Sequence, residues 1–198
     1  MSRQAAAPRA AVGFRVKSGW ACAIVLAGPV SAPVVIDRCR VLLWDGEVPE
    51  SQQPYHAAMG KLEEDAAKIR ARTEVVERAA RQSVAALLDR LKAAGYALYG
   101  AGLVVGSQMD PSAIANPHIR AHALEGRLFR TVLQAALEAH RLPCAVHGER
   151  GVYTAAAPIL GRSEGELKLA VAALGRAFGG PWRAEEKLAS LAAWLALA

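Results

Sequence analysis

Three apolar runs separated by short turns fill the first 44 residues, and they constrain the fold more than any other feature. Residues 11–16, 19–27 and 34–44 are largely apolar and contain β-branched side chains, and the turn between the first two runs falls at 17–19. Such runs predict strands joined by hairpins. We therefore expect a three-stranded antiparallel meander. Polar residues occur on both faces of the third run, which predicts an outer strand.

The middle of the chain predicts helices that alternate with strands of a parallel sheet. Apolar residues at spacings of three and four predict a long amphipathic helix over 57–94, which Gly95 ends. Residues 96–107, 117–140 and 142–147 then predict a strand, a helix and a second strand. This order is the βαβ unit of a parallel sheet.

Two further helices are predicted near the end of the chain. Ser163 and Glu166 have the spacing of a capping box, which predicts that a helix begins there. The last apolar helix is predicted from about Arg183. Because no change of composition divides these elements, we expect one α/β domain over residues 11–198, preceded by a disordered tail at 1–10.

Composition and charge exclude several classes of protein. A chain that is 53% hydrophobic and 21% charged can bury a core and is not expected to be disordered. The net charge of +6 is spread evenly, so it fits an ordinary surface as well as a polyanion-binding face. The cysteines lie far apart without a C-x-x-C pair, which favours a reduced, cytoplasmic setting. Glycine and prolines interrupt the longest uncharged run, so we expect no membrane partner.

Short motifs mark the joins between these elements. In chain order they are Gly13-Phe14-Arg15-Val16-Lys17-Ser18-Gly19-Trp20-Ala21, Asn116-Pro117, Gly161-Arg162-Ser163 and the Ala/Leu-rich helix from Glu185. With the order of elements over roughly 11–197, they resemble the RuvC-type Holliday-junction resolvases of the ribonuclease-H-like superfamily. The resemblance implies a three-layer α/β fold, with a mixed sheet of an antiparallel meander plus parallel strands between flanking helices.

The same resemblance implies a nuclease site whose acidic residues are missing here. In that family, acidic side chains on the first strand, on the fourth strand and at the start of the last helix hold two divalent metal ions. The corresponding residues 14–16 and 105–108 of this chain include no acidic side chain. Only Glu185 and Glu186 lie near the third position. We therefore expect that the two-metal nuclease reaction is lost and that the protein is not an enzyme of this type.

Our leading hypothesis is that the former metal cleft binds an anionic ligand, either nucleic acid or a phosphorylated small molecule. The expected lining is Arg15, Lys17, Ser107, His118, His122 and Glu125. Arg15, Lys17 and Ser18 lie at the first turn, where a guanidinium, an ammonium and backbone donors can hold a phosphate. The alternative is an ordinary hairpin turn whose cations are solvated.

His118, His122 and Glu125 share one helical face, because they are spaced by four and three residues. Two such histidines and a carboxylate can bind a transition metal or hold a general base with its orienting acid. This pattern supports a different hypothesis, a metal-assisted hydrolase that uses these residues with Asp110 or Glu185 and a divalent metal ion as cofactor. The alternative is a polar helix face with two exposed histidines and no cofactor.

Three further residues are candidates for ligand binding. Tyr55 and His56 stand in the polar connection after the third strand, where they either contact a ligand or anchor the loop. Lys187 lies in the first turn of the last helix. A remaining hypothesis assigns no working cleft at all: the protein keeps the fold as a scaffold for interactions and forms a homodimer.

Overall fold

The computed structural model describes residues 8–57 and 60–198. A mixed five-stranded sheet lies between two layers of helices. The strands are β1 (Arg9–Lys17), β2 (Trp20–Ala27), β3 (Val34–Leu42), β4 (Ala97–Val105) and β5 (Cys144–Gly148). The helices are α1 (Ala66–Ala93), α2 (Pro117–Ala139), α3 (Val152–Leu160), α4 (Glu164–Phe178) and α5 (Ala184–Leu197).

The order of strands across the sheet is β3-β2-β1-β4-β5. β2 pairs antiparallel with both β1 and β3, β4 runs parallel to β1, and β5 runs parallel to β4. The predicted meander, the outer position of β3 and the βαβ unit are therefore confirmed. β1 begins at Arg9, so the predicted tail is wrong for Arg9 and Ala10, and the tail's residues 1–7 lie outside the described residues.

The two faces of the sheet carry separate hydrophobic cores. α1 and α2 cover one face, where Phe14 of β1 and Phe129 of α2 are fully buried. α3, α4 and α5 cover the other face, where Ile24 of β2 and Leu191 of α5 are fully buried. Each helical layer seals one side of the central strands, as expected for a three-layer α/β domain.

Glycines on the central strands let α5 pack directly against the backbone of the sheet. A Cβ atom added at Gly13 of β1 would lie 2.0 Å from the carbonyl oxygen of Ala189. One added at Gly102 of β4 would lie 2.5 Å from the carbonyl oxygen of Ala192. Because side chains alternate along a strand, Arg15 and Lys17 share this α5 face with Gly13. This register fixes where the two cations point.

The predicted start of the long helix is wrong. α1 begins at Ala66 rather than at residue 57, and the segment before it contains an isolated antiparallel bridge between His56 and Leu62. Gly60 has a φ of +73°, which no helix tolerates, and the Asp65 carboxylate caps the first turn of α1. The residues before the cap form a loop that folds toward α2. Residues 58 and 59 lie outside the described part.

The last third of the chain contains one helix that the pattern did not predict. α3 lies between Gly151 and Gly161, which both have positive φ. The predicted capping box is confirmed: the Ser163 hydroxyl accepts from the backbone N–H of Glu166, and the Glu166 carboxylate accepts from the backbone N–H of Ser163. In the described part of the chain, no helix combines the length and the apolar character that crossing a membrane requires.

Candidate functional site

A cleft of about 840 Å³ opens at the carboxyl ends of β1 and β4. We call it the strand-end cleft. The turn after β1, the loop after β4 and the first half of α2 form its walls. Its lining includes five of the predicted residues, which are Arg15, Lys17, Ser18, Ser107 and His122. The ends of parallel strands are the usual position of a binding site in an open α/β sheet.

Arg15 forms the floor of this cleft and is almost fully buried, with a relative exposure of 6%. Its guanidinium donates to the carbonyl oxygen of Val16 at 2.6 Å and forms an ion pair with Glu149. Glu149 follows β5 directly, and β5 runs parallel to β4, which in turn runs parallel to β1. Glu149 therefore lies at the same end of the sheet as Arg15. Glu149 was not predicted from the sequence as a residue of the site. The one feature that could have indicated it is its position directly after a predicted strand.

Lys17 is also paired with a carboxylate. Its Nζ atom lies 3.5 Å from Glu185 Oε1 in the first turn of α5. A hydrogen bond from a backbone N–H holds the pKa of Glu185 below its ordinary value, and the charge of Lys17 lowers that pKa further, whereas partial burial opposes the shift. The two cations that β1 directs toward the cleft are therefore both compensated by acids from other elements.

The residues of the cleft do not fit a pair of magnesium ions. Such a pair needs several converging carboxylates, because magnesium prefers oxygen ligands. Among the described lining residues, Asp110 is the only acidic one. Its carboxylate accepts hydrogen bonds from the backbone N–H of Ser112 at 3.1 Å and from the Ser112 hydroxyl at 2.7 Å. The buried guanidinium of Arg15 would in addition repel divalent ions at the end of β1.

Three histidines meet beside the cleft, and we call them the histidine cluster: His56, His118 and His122. One ring nitrogen from each lies within 4.8 Å of the other two. His56 comes from the loop before α1, whereas His118 and His122 lie on the first two turns of α2. Only His122 also lines the strand-end cleft. The prediction that His118 lines the cleft is therefore wrong, because its ring turns toward Gly60 and the loop.

Glu125 lies behind the cluster rather than in the cleft. It is fully buried, and its Oε1 atom lies 2.7 Å from His56 Nδ1. Burial raises the pKa of Glu125, while the hydrogen bond and charge of His56 lower it. The predicted place of Glu125 on the helical face shared with His118 and His122 is correct, but its predicted place in the pocket lining is wrong. The loop that carries His56 covers it.

Two buried polar atoms of this group have no hydrogen-bond partner among the described residues. They are His56 Nε2 and Glu125 Oε2; His122 Nδ1 lies 3.7 Å from the second, too far for a hydrogen bond. An unsatisfied buried polar group costs about 1–3 kcal/mol. Burial lowers the pKa of His122, and the charges of His56 and His118 lower it further. The lowered pKa favours the neutral imidazole of His122, whose free nitrogen can bind a metal ion.

The remaining predicted residues lie outside the strand-end cleft. Tyr55 is half-buried on the loop beside Glu125, and burial raises the pKa of its hydroxyl. Lys187 is half-buried on α5 and does not line the cleft, so ligand binding by Lys187 stays a prediction. His56 anchors its loop to α2 through the hydrogen bond with Glu125, as one of the two alternatives predicted. Ligand contact by Tyr55 and His56 stays a prediction.

With this geometry established, the chain can be compared with known proteins. No family model matches it, and no curated protein matches its sequence. It is similar to Thermus thermophilus RuvC in complex with a Holliday junction substrate, at 11% identity and a TM-score of 0.56, over 94% of this chain and 91% of that chain. It is also similar to the yeast mitochondrial Holliday junction resolvase, at 9% identity and a TM-score of 0.52, over 94% of this chain and 78% of that chain.

These similarities establish the fold. The chain has a ribonuclease-H-like α/β fold whose structural neighbours include RuvC-type resolvases, as the order of its elements predicted. The strand-end cleft lies at the ends of the two central strands of this fold, β1 and β4.

Proposed function

We propose that the protein binds nucleic acid in the strand-end cleft and does not carry out the two-metal nuclease reaction. The observation that carries the proposal is Arg15, which lies at the end of β1 and forms the floor of the cleft. Its guanidinium donates to phosphate oxygens when a phosphate displaces Glu149, and it supplies no ligand for a divalent cation at the end of β1. The fold is thereby adapted to hold a polyanion rather than to activate water with paired metals.

Positive charge on the α2 wall supports phosphate binding. Arg127 and Arg130 line the cleft at a spacing of three residues, which places them on one side of the helix. Arg130 donates to the side-chain oxygen of Gln108 at 3.2 Å. No ion pair within the described residues engages either guanidinium. These two arginines are therefore available to phosphates that enter the cleft.

Lys17 and Arg15 supply the second line of contacts. Each is paired with a carboxylate that is itself partly exposed, Glu185 for Lys17 and Glu149 for Arg15. A phosphate in the cleft competes with these carboxylates for the cations. One structural neighbour is described in complex with a Holliday junction, which supports nucleic acid as the ligand over a phosphorylated small molecule.

The test is fluorescence anisotropy with a labelled DNA duplex and a labelled four-way junction, measured across a series of salt concentrations. The expected result is binding that weakens steeply with salt. An Arg127→Ala/Arg130→Ala variant is expected to lose affinity about tenfold or more and to reduce the salt slope by about 2, since each arginine contacts about one phosphate.

The matched control is Arg78→Ala/Arg81→Ala on α1, which removes the same two charges from exposed positions outside the cleft. This control is expected to bind DNA nearly as the wild type does. Equal losses in the two variants would mean that net charge alone drives binding, which would overturn the proposal. Cleavage of the DNA on addition of magnesium or manganese would overturn its second half.

The scaffold hypothesis makes a different prediction. A homodimeric interaction protein would scatter light as a dimer at micromolar concentration and would show no affinity for DNA at low salt. Light scattering and anisotropy on the same sample therefore separate the two functions.

A further inference from the structure

We propose that His56, His118 and His122 form a binding site for one zinc-like transition-metal ion, with Glu125 as the residue that orients His56. The site borders the strand-end cleft at His122 and extends away from it, because neither His56 nor His118 lines that cleft. Three protein ligands leave one coordination position for water or another ligand. The exposed rings of His118 and His122 place the site at the surface.

In two rings of the cluster Nδ1 is the donor and Nε2 carries the electron pair; His118 Nε2 lies within hydrogen-bond distance of His122 Nε2, a contact that a bound ion would replace. Glu125 Oε1 accepts from His56 Nδ1 at 2.7 Å, and the carbonyl oxygen of Gly60 accepts from His118 Nδ1 at 2.9 Å. A ring that donates from Nδ1 carries its free electron pair on Nε2. Metal-binding histidines are held in this way, by a carboxylate or a backbone carbonyl on the other nitrogen.

The distances match those of a shared ion. His118 Nε2 and His122 Nε2 lie 3.2 Å apart. Two ligands of a tetrahedral zinc ion at about 2.0–2.1 Å lie roughly 3.3 Å from each other. The centroid of the His122 ring is 4.6 Å from that of His56 and 4.6 Å from that of His118. One ring nitrogen of His56 lies within 4.8 Å of a ring nitrogen of each of the other two, so the third ligand faces the same centre.

A buried atom without a partner points independently to a ligand. The His56 side chain is only 8% exposed, and its Nε2 atom has no hydrogen-bond partner among the described residues. If the histidines formed only a solvated polar surface, this nitrogen would contact water and would not be buried. Buried polar atoms normally have a partner, and an ion bound between the three rings would provide it.

The donor set selects the class of metal. Three imidazole nitrogens suit zinc, cobalt, nickel and copper, whereas magnesium and calcium prefer oxygen ligands. Glu125 supplies one negative charge behind His56, which partly compensates the charge of the ion. The group of potential ligands consists of His56, His118 and His122 and includes no cysteine.

The test is a titration of chelator-treated protein with zinc, followed by calorimetry, together with the visible spectrum of the cobalt complex. Wild-type protein is expected to bind one equivalent of zinc, to give the absorption of nitrogen-bound tetrahedral cobalt, and to bind no magnesium under the same conditions. Glu125→Gln is expected to lower zinc affinity by about 10–100-fold, as for other residues that orient a ligand.

The decisive variants are His118→Ala and His122→Ala. Both side chains are exposed, so their removal leaves the core intact, and circular dichroism verifies the fold. Each is expected to weaken zinc binding by more than Glu125→Gln does. His140→Ala is the matched control, because it removes an exposed histidine just after the other end of α2.

Zinc binding that is unchanged in His118→Ala and His122→Ala would overturn the proposal, as would wild-type protein that binds no zinc at micromolar concentration. Equal losses in His140→Ala would also overturn it, since the site would then not reside in the cluster. DNA binding is measured separately, so failure of the zinc site leaves the proposed function of the cleft independently testable.

Discussion

The strand-end cleft and the histidine cluster border each other at His122, yet they treat their polar groups in opposite ways. In the cleft, Arg15 and Lys17 are each paired with a carboxylate from a distant part of the chain. In the cluster, His56 Nε2 is buried without a partner among the described residues, as is Oε2 of the adjoining Glu125. The cations of the cleft are already paired, whereas an ion bound between the three rings would give His56 Nε2 its partner.

This difference shows that the place where a fold usually binds its ligands need not be the place where unpaired metal-ligand atoms lie. The strand-end cleft occupies the end of the central strands, where the fold places its sites, but its acids neutralise cations instead of converging on a metal. The unsatisfied ligand atoms lie one helix face away. Four predictions test this contrast, two on the histidine cluster and its partner Glu125 and two on the ion pairs of the cleft.

The largest expected effect is the stabilisation of the cluster by zinc. A ligand that binds only the folded state at a hundredfold excess over its Kd stabilises a protein by about 2.7 kcal/mol. For a chain of this size, that free energy raises the Tm by roughly 5–11 °C. Differential scanning calorimetry with zinc is expected to show this shift in wild-type protein and in Glu149→Ala, but not in His118→Ala/His122→Ala. A shift that depended on Glu149 would place the ion in the cleft.

The next effect concerns the pair buried behind the cluster. Glu125→Ala removes the acceptor of His56 and leaves a second buried atom unpaired, so it is expected to lower the free energy of unfolding by about 2–3 kcal/mol. Glu125→Gln keeps an acceptor oxygen in the same place and is expected to cost much less. Urea denaturation measures both variants. A loss as large for Gln as for Ala would show that the carboxylate charge, rather than the hydrogen bond, holds the loop.

The corresponding pair in the cleft is expected to contribute less. The side chain of Arg15 is 8% exposed and that of its partner Glu149 is 45% exposed, so water replaces part of the interaction that a substitution removes. Glu149→Ala is therefore expected to cost about 1 kcal/mol in the same denaturation assay. Glu74→Ala, at an exposed position of α1, is the control with the same loss of charge. A cost for Glu149→Ala above that of Glu125→Ala would reverse the ranking of the two regions.

The smallest effect is the pH dependence of the pair between Lys17 and Glu185. The pKa of Glu185 lies below its ordinary value in the folded protein. Its contribution is therefore present above the ordinary glutamate pKa and is lost as the pH falls through the lowered value. Glu185→Gln is expected to cost less than about 0.5 kcal/mol at pH 7. Denaturation curves of variant and wild type should converge in acid; a gap that widens in acid contradicts the pairing.

The sequence predicted the sheet because its signals are local. The apolar runs, the turn at 17–19 and the βαβ pattern each depend on neighbours along the chain, and the strands that they predicted were confirmed. The predicted start of α1 was wrong because the sequence of residues 57–65 continues the helical spacing. The positive φ of Gly60 is not helical, and the helix begins only after its N-cap, Asp65. α3 was missed because it has only nine residues and contains Pro158, a residue that rarely lies inside a helix.

The site was predicted in part, because only some of its members are neighbours in sequence. His118, His122 and Glu125 follow from helical spacing alone. His56 stood out in its loop, but no local signal shows that this loop folds onto α2. Glu149 meets Arg15 only through the register of the parallel strands, which a single sequence does not define. Long-range pairing is therefore the part of the account that needed coordinates.

The most direct measurement of the central claim is anomalous diffraction at the zinc edge from crystals soaked in one equivalent of zinc. The account predicts a single peak at about 2.0–2.1 Å from ring nitrogens of His56, His118 and His122, with no peak in the strand-end cleft. A peak bound by Asp110, Glu149 or Glu185, or the absence of any peak between the three rings, would contradict it.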